Sequence, residues 1–220
     1  LTFLCLLGAA AGAADLSAIS NTDASAGLKK ALEQGIDRAI GELGVTDGFL
    51  KNPRVKIDLP PKIAKAEGLL RTLGAGGEID RLITSMNRAA EAAVPESKTL
   101  FIEALHHMSI EDAKQILTGG EDSATQYFRR VTSVALKAKF APIIASATQK
   151  VKLSEQYDAV AQKGVALGIL KPEDASVESY VSEKTLDGLF LIMADEERAI
   201  RKDPLGQASS LLKRVFEAAR

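Results

Sequence analysis

Tryptophan is absent from the chain and aromatic residues make up only 5% of it, too few flat rings for a platform that stacks bases or sugars. There is one cysteine, Cys5, which excludes an intramolecular disulfide. No sign of charge dominates: 28 basic and 29 acidic residues are interspersed along 220 positions. That balance excludes the basic footprint of a nucleic-acid binder, so no nucleic acid is expected as a partner. The H-E-x-x-H, G-x-S-x-G and P-loop patterns are all missing. So are a repeat of fixed period and any low-complexity linker. What remains is 46% hydrophobic and 26% charged, the balance of an ordinary globular domain. A chain of this length buries roughly 70% of its unfolded surface and needs neither metal nor disulfide to fold.

The first residues, LTFLCLLGAAAGAADLS, open with an uncharged apolar run from Leu1 to Ala14. As a helix it would reach about 21 Å, short of a hydrocarbon core of about 30 Å. It ends in small residues, and Ala11-Gly12-Ala13 fits an A-x-A cleavage signal. The expectation is a signal peptide over residues 1–14, cleaved near Ala13 or Ala14. The mature chain would then be exported, with a single helical domain over 15–220 and no transmembrane segment. Leu4 precedes Cys5, so a lipoprotein signal is not expected, and cleavage would remove the only thiol.

Beyond this run, apolar residues recur at helical spacing. Leu28, Ala31, Leu32, Ile36, Ala39, Ile40 and Leu43 share one face, with Gly35 placed where a second helix can approach closely. Asp23 or Ser25 could cap this helix and Gly44 could close it. Val55, Ile57 and Leu59 alternate with Lys56 and Asp58, and Asn52-Pro53 signals a turn; together they predict a short β-hairpin near residues 48–59. Pro60-Pro61 opens a helix to about Leu73, stopped by Gly74-Ala75-Gly76-Gly77, and the next begins near Glu78. Pro95 should restart or kink that helix. Ser109 with Asp112 resembles a capping box ahead of Ile110, Ala113, Ile116 and Leu117, all expected to be buried. A helix from about Glu121 to Lys139 should bury Ala124, Tyr127, Phe128, Val131 and Ala135, with a bend at Phe140-Ala141-Pro142. Further helices are expected over Tyr157–Leu167, from about Ser176, and after Asp203-Pro204. The fold class is therefore all-α, a multi-helix bundle with a minor β-hairpin.

Polar residues interrupt these apolar faces. In MNRAAEAA, Asn87 and Glu91 stand on the shoulder of the stripe, and Arg88 points away from it toward solvent. In LDGLFLIMADEERAIRKDP, the stripe of Leu186, Leu189, Phe190, Met193 and Ile200 has Glu197 at its centre. A carboxylate buried there loses several kcal/mol of solvation and needs a partner; Arg201, four residues on, is well placed. Asn87, Glu91, Thr125, Tyr127, Asp187, Glu197 and Arg201 are the candidate polar-core residues. Either they converge into one site, as bundle cores allow, or they form separate bonded pairs that fix helix register. Glu103 and His107 are four apart, but two ligands do not make a metal site. No catalytic residue, metal or cofactor is assigned.

Nine segments occur in order: GLKKALEQGI, DGFL, VKIDLP, MNRAAEAA, MSIEDAKQIL, SATQYF, FAPII, YVSEKTLDGLF and EERAIRKDP. Over about residues 20 to 216 the chain resembles an uncharacterised family of exported bacterial proteins, domain of unknown function 4197. The resemblance implies a largely helical envelope protein of Gram-negative bacteria. It carries no activity, so no catalytic residue can be transferred. Members are often lipoproteins, whereas the sequence around Cys5 favours a soluble periplasmic form here. The expected function is a non-enzymatic envelope module that binds an apolar ligand or a partner protein. The alternative is a carboxylate- or metal-dependent enzyme built on Glu91 and Glu197.

Overall fold

A computed structural model of the chain describes residues 21–148, 155, 157–158 and 176–202. The expected signal peptide, most of the segment expected over Tyr157–Leu167, and the helix expected after Asp203-Pro204 lie outside the described residues.

Helix α1 (Asn21–Leu43) starts earlier than its capping signals suggest, and Ser25 is buried within it. Its apolar face is the expected one. Gly44 closes it, with its N–H donating to the Ile40 carbonyl at 2.7 Å. The chain then makes tight turns through Asp47, whose φ of 73° is the only positive value among described residues other than glycine. Residues 56–60 follow as extended backbone.

The expected β-hairpin is not formed: no strand occurs among the described residues. The alternation that suggested it is real, because Val55, Ile57 and Leu59 are buried while Lys56 and Asp58 are exposed. One extended segment lying on a helix obeys the same period as one in a sheet. The partner it finds is a side chain, described below.

Helix α2 (Pro61–Leu70) begins at the proline pair as expected. Gly74, at φ 88°, turns the chain into α3 (Gly76–Ala93). A 3-10 turn at Val94–Glu96 carries Pro95 and leads into α4 (Ser97–His107). Next comes α5 (Ile110–Thr118), which starts with a complete capping box: Ser109 Oγ accepts from the Asp112 N–H and the Asp112 carboxylate accepts from the Ser109 N–H. Ile110 is 46% exposed, not buried as expected, because it occupies the first turn outside the packed face.

Helix α6 (Ser123–Thr148) corrects two expectations. It runs through Pro142 without ending, held on both sides by the buried Leu136, Phe140 and Ile144. Its core ladder is Ala124, Phe128, Thr132, Leu136, Phe140 and Ile144, one residue every fourth position. Val131 and Ala135 face outward, because α6 carries apolar residues on two faces and only one is packed.

Helix α7 (Val177–Lys202) packs along α6 and against α1, and α6 in turn lies on α3 and α4. Phe101 joins three of these helices, edge-to-face with Phe128 at 5.5 Å and with Phe190 at 6.1 Å. Two glycines set the closest approaches to α7. A Cβ built on Gly35 would meet Ile200 Cδ1 at 3.3 Å, as its place on the α1 stripe suggests. A Cβ on Gly188 would meet the Phe49 ring at 2.9 Å and Val55 Cβ at 3.1 Å. The loop after α1 can therefore rest directly on the α7 backbone. Gly188→Val should lower stability by about 1–3 kcal/mol through overpacking. It would appear in urea unfolding as a lower midpoint with an unchanged slope; an unmoved midpoint would show that the loop yields freely at this contact.

Candidate functional site

Five of the seven polar candidates fall in two separate clusters, each at a place where backbone leaves regular structure. The first lies where α3 meets the loop of residues 45–60. Asn87 is fully buried and pairs with one residue of that loop in both directions. Its Oδ1 accepts from the Ile57 N–H at 2.8 Å, and its Nδ2 donates to the Ile57 carbonyl at 2.8 Å. This is the hydrogen-bond pattern of a strand neighbour, supplied by one amide side chain. A further bond to the Ile83 carbonyl fixes the orientation of that amide.

One turn on, Glu91 Oε1 accepts from the N–H groups of Phe49, at 3.0 Å, and Leu50, at 3.1 Å. Its other oxygen takes Arg88 Nη1 at 2.6 Å, and Arg88 Nη2 reaches Asp47 at 2.7 Å. Arg88 is 37% exposed, as its helical phase suggests in part, but it is also ion-paired on both sides. The loop wraps round to that side of α3 and brings a carboxylate to it. Lys51, at 2.8 Å, and then Arg88 hold the Asp47 carboxyl below its ordinary value of 3.8. The Arg88 guanidinium is raised in return, first by Glu91 and then by Asp47. A strained left-handed residue is thus tied down by two cations.

The second cluster lies at the head of α6. Glu197, 5% exposed, comes from α7 and takes the amino-terminal N–H groups of α6. Oε1 accepts from Ala124 N at 2.9 Å; Oε2 accepts from Thr125 N at 2.8 Å and Thr125 Oγ1 at 2.9 Å. These are donors that an isolated helix leaves unpaired, and the helix dipole favours a negative charge there. Arg201 closes the cluster, with Nη2 2.8 Å from Glu197 Oε1 and Nε at 3.1 Å. The same Nη2 donates to the Ile116 carbonyl and to Ser123 Oγ, both at 2.8 Å. The end of α5, the head of α6 and the last turns of α7 are thereby bonded to one another.

Of the sequence candidates, Thr125, Glu197 and Arg201 are brought together, and Asn87 and Glu91 act on one loop. Among the described residues, no group bonded to Glu91 is bonded to Glu197. Tyr127 stands apart, its hydroxyl donating to the Ala104 carbonyl at 3.1 Å. Asp187 is half exposed, with Arg129 at 3.4 Å and Lys184 at 3.7 Å. Glu103, His106 and His107 are exposed. Among the described residues, no three of His, Cys, Asp or Glu are grouped to hold a metal ion. Beside Glu197, a cavity of about 10 Å³ lies among Leu32, Gly35, Phe128 and Ile200, room for no more than one water.

Arg88, Asp47 and Ser123 were missed by sequence reasoning. Asp47-Gly48 is a turn signal, and Arg88 with Glu91 is a recognisable i,i+3 pair. Nothing in spacing joins Asp47 to Arg88 across 41 positions.

The model of one protein family, described as "Protein of unknown function (DUF4197)", matches residues 18–217. The chain belongs to this family. The match spans every described helix, so both clusters lie inside the family domain. No curated protein and no solved structure matches the chain.

Removing the Glu197 carboxylate takes the buried anion away from Arg201 and leaves the Ala124 and Thr125 N–H groups without their acceptor, so Glu197→Ala should cost about 3–5 kcal/mol. Because the clusters share no partner, Glu91→Gln should add to it within about 0.5 kcal/mol in a double-mutant cycle by urea unfolding. A larger coupling would mean that the two acids act as one site. Asp47 should also give stability a pH dependence. Its folded pKa lies below 3.8, so its contribution is present above that value and is lost as pH falls through the folded pKa. The gap in urea midpoint between the native chain and Asp47→Asn should therefore shrink in acid. A gap that is the same at neutral and acid pH would remove Asp47 from the stability account.

Proposed function

We propose that the protein is a non-enzymatic module of the bacterial envelope, exported to the periplasm, that binds an apolar partner at its surface. The observation that carries this reading is how its inward polar groups are used. Asn87, Glu91, Thr125, Glu197 and Arg201 all bond the chain's own loops and helix ends, while leucine side chains project outward elsewhere. Export rests on the uncharged run of Leu1 to Ala14 and its A-x-A ending. A surface partner is favoured over an enclosed apolar ligand because the cavity at Glu197 holds about 10 Å³, and the larger clefts, about 330 Å³ beside Gln126 and Arg130 and about 420 Å³ beside Glu67 and Asp80, are open and lined largely by polar and charged groups. The paired-carboxylate enzyme needs Glu91 and Glu197 to face one substrate, and each is instead bonded to a different part of the backbone.

Native mass spectrometry of protein purified from its own envelope fraction tests this reading. The expected spectrum contains the chain with added mass, from lipid or a second protein. A bare chain in every preparation, with no crosslinked neighbour, would sink it.

A further inference from the structure

Two aspartates precede a glycine, Asp47 and Asp187, and no asparagine does. Glycine puts no Cβ beside its main-chain nitrogen, so that nitrogen can attack the carboxyl carbon of the aspartate before it. Asp187 lies inside α7, where the Gly188 N–H is committed to the helix. Asp47 lies in an irregular turn at φ 73°, and its side chain is 27% exposed. Both residues of this turn are needed where they stand. A Cβ on Gly48 would lie 2.6 Å from the carbonyl oxygens of Glu42 and Leu43, so only glycine fits. Asp47 supplies the second carboxylate of Arg88. The fold therefore keeps a reactive dipeptide at the root of the loop, and three contacts surround it. Lys51 Nζ holds one carboxylate oxygen at 2.8 Å and Arg88 Nη2 holds the other at 2.7 Å. The Gly48 N–H donates to the Val45 carbonyl at 3.0 Å.

We infer that Asp47–Gly48 is a latent isoaspartate site, guarded by Lys51, Arg88 and the Val45 carbonyl, and that its isomerisation releases the loop of residues 45–60. The reaction needs water alone. The Gly48 nitrogen bonds to Asp47 Cγ, and one carboxyl oxygen leaves as water with the N–H proton and the acid proton, which closes a succinimide. Water then adds at the Asp47 main-chain carbonyl carbon, and the bond from that carbon to the Gly48 nitrogen breaks. Nothing is oxidised and the mass is unchanged. The chain now runs through Cβ and Cγ and is one atom longer, with the carboxylate directly on Cα.

Each contact opposes a particular step. Ring closure expels water from the neutral acid, whereas two cations favour the ionised form. Each unit by which a carboxyl pKa is lowered reduces its neutral fraction at neutral pH about tenfold. Both ion pairs must also open before Cγ can swing onto the nitrogen, and that nitrogen must leave the Val45 carbonyl. Once formed, the isomer cannot restore them, because a carboxylate on Cα falls one carbon short of Arg88 and Lys51. The added main-chain atom shifts Phe49, whose N–H Glu91 holds and whose ring lies against Gly188.

The full chain is aged for weeks at neutral pH, folded and in urea, and isoaspartate at each dipeptide is quantified by electron-transfer fragmentation, which separates isomers of equal mass. Lys51→Ala is the decisive variant, since Lys51 is 76% exposed and its ion pair among the described residues is with Asp47. Arg88→Gln is the second. In urea the two dipeptides should react alike. In the folded native chain Asp47 should react several-fold more slowly than in urea. In both folded variants the rate at Asp47 should rise several-fold while Asp187 stays at its native rate. The separated isomer should unfold at a lower urea midpoint. Folded Asp47 reacting as fast as in urea overturns the proposal, as do variants that leave its rate unchanged. An equal rise at Asp187 would assign the protection to folding of the whole bundle and overturn the guard. An isomer with an unmoved midpoint overturns release of the loop.

Discussion

Glu197 holds a negative charge in the core, within a stripe of leucine, phenylalanine, methionine and isoleucine, and the bundle is arranged around keeping it satisfied. Its two oxygens take two main-chain N–H groups, one hydroxyl and a guanidinium. The attraction that makes the burial tolerable is local, since helix-end donors and Arg201 lie within hydrogen-bond reach. The desolvation cost of the carboxylate and the uncapped donors of α6 are two unfavourable quantities that offset each other when they meet. From that meeting follow the angle of the α5–α6 turn, the position of Ser123 and the register of α7 against α6. Had α6 carried its own side-chain cap for those donors, among the described residues only the exposed pairs Arg129–Asp187 and Lys137–Glu183 would oppose α7 sliding along its apolar ladder.

The same logic recurs at the loop of residues 45–60. An all-helical protein gives an extended segment no sheet to join, and buried backbone groups must still be paired. Asn87 supplies the pair for Ile57, Glu91 takes two donors of the preceding turn, and Gly188 lets Phe49 and Val55 lie flat on α7. The loop is thus clamped between α3 and α7 by groups that match its backbone one residue at a time. A slip of one residue would carry Lys56 or Asp58 into the place of Ile57, so the apolar alternation and the amide clamp enforce the same register.

Helical phase was enough to place Glu197 inside and Asn87 and Glu91 on a shoulder, because phase is a property of one helix and its own period. It failed where the answer depended on a second segment. The azimuth of Arg88 on α3 points it toward solvent, and it is 37% exposed, but phase does not reveal the loop that brings Asp47 to that side. Val131 and Ala135 were placed inside because α6 has two apolar faces and period alone does not say which is packed. The hairpin was expected because alternation shows that a segment is extended and half buried, not what pairs with it. Beyond Arg88 and Arg201, which lie within one turn, the main-chain partners of the two carboxylates are 41 to 73 positions away and carry no local mark. They are main-chain groups, and every residue but proline has the same one.

The cap on α6 has a consequence for how the molecule is made. Ala124 leaves the ribosome 73 residues ahead of the acid that will accept its N–H. At about 5–20 residues per second, several seconds separate the two. Throughout that interval the head of α6 is hydrated and its first turn can fray. The bond forms only once α7 is translated, so a nascent chain arrested before α7 leaves the head of α6 without its clasp.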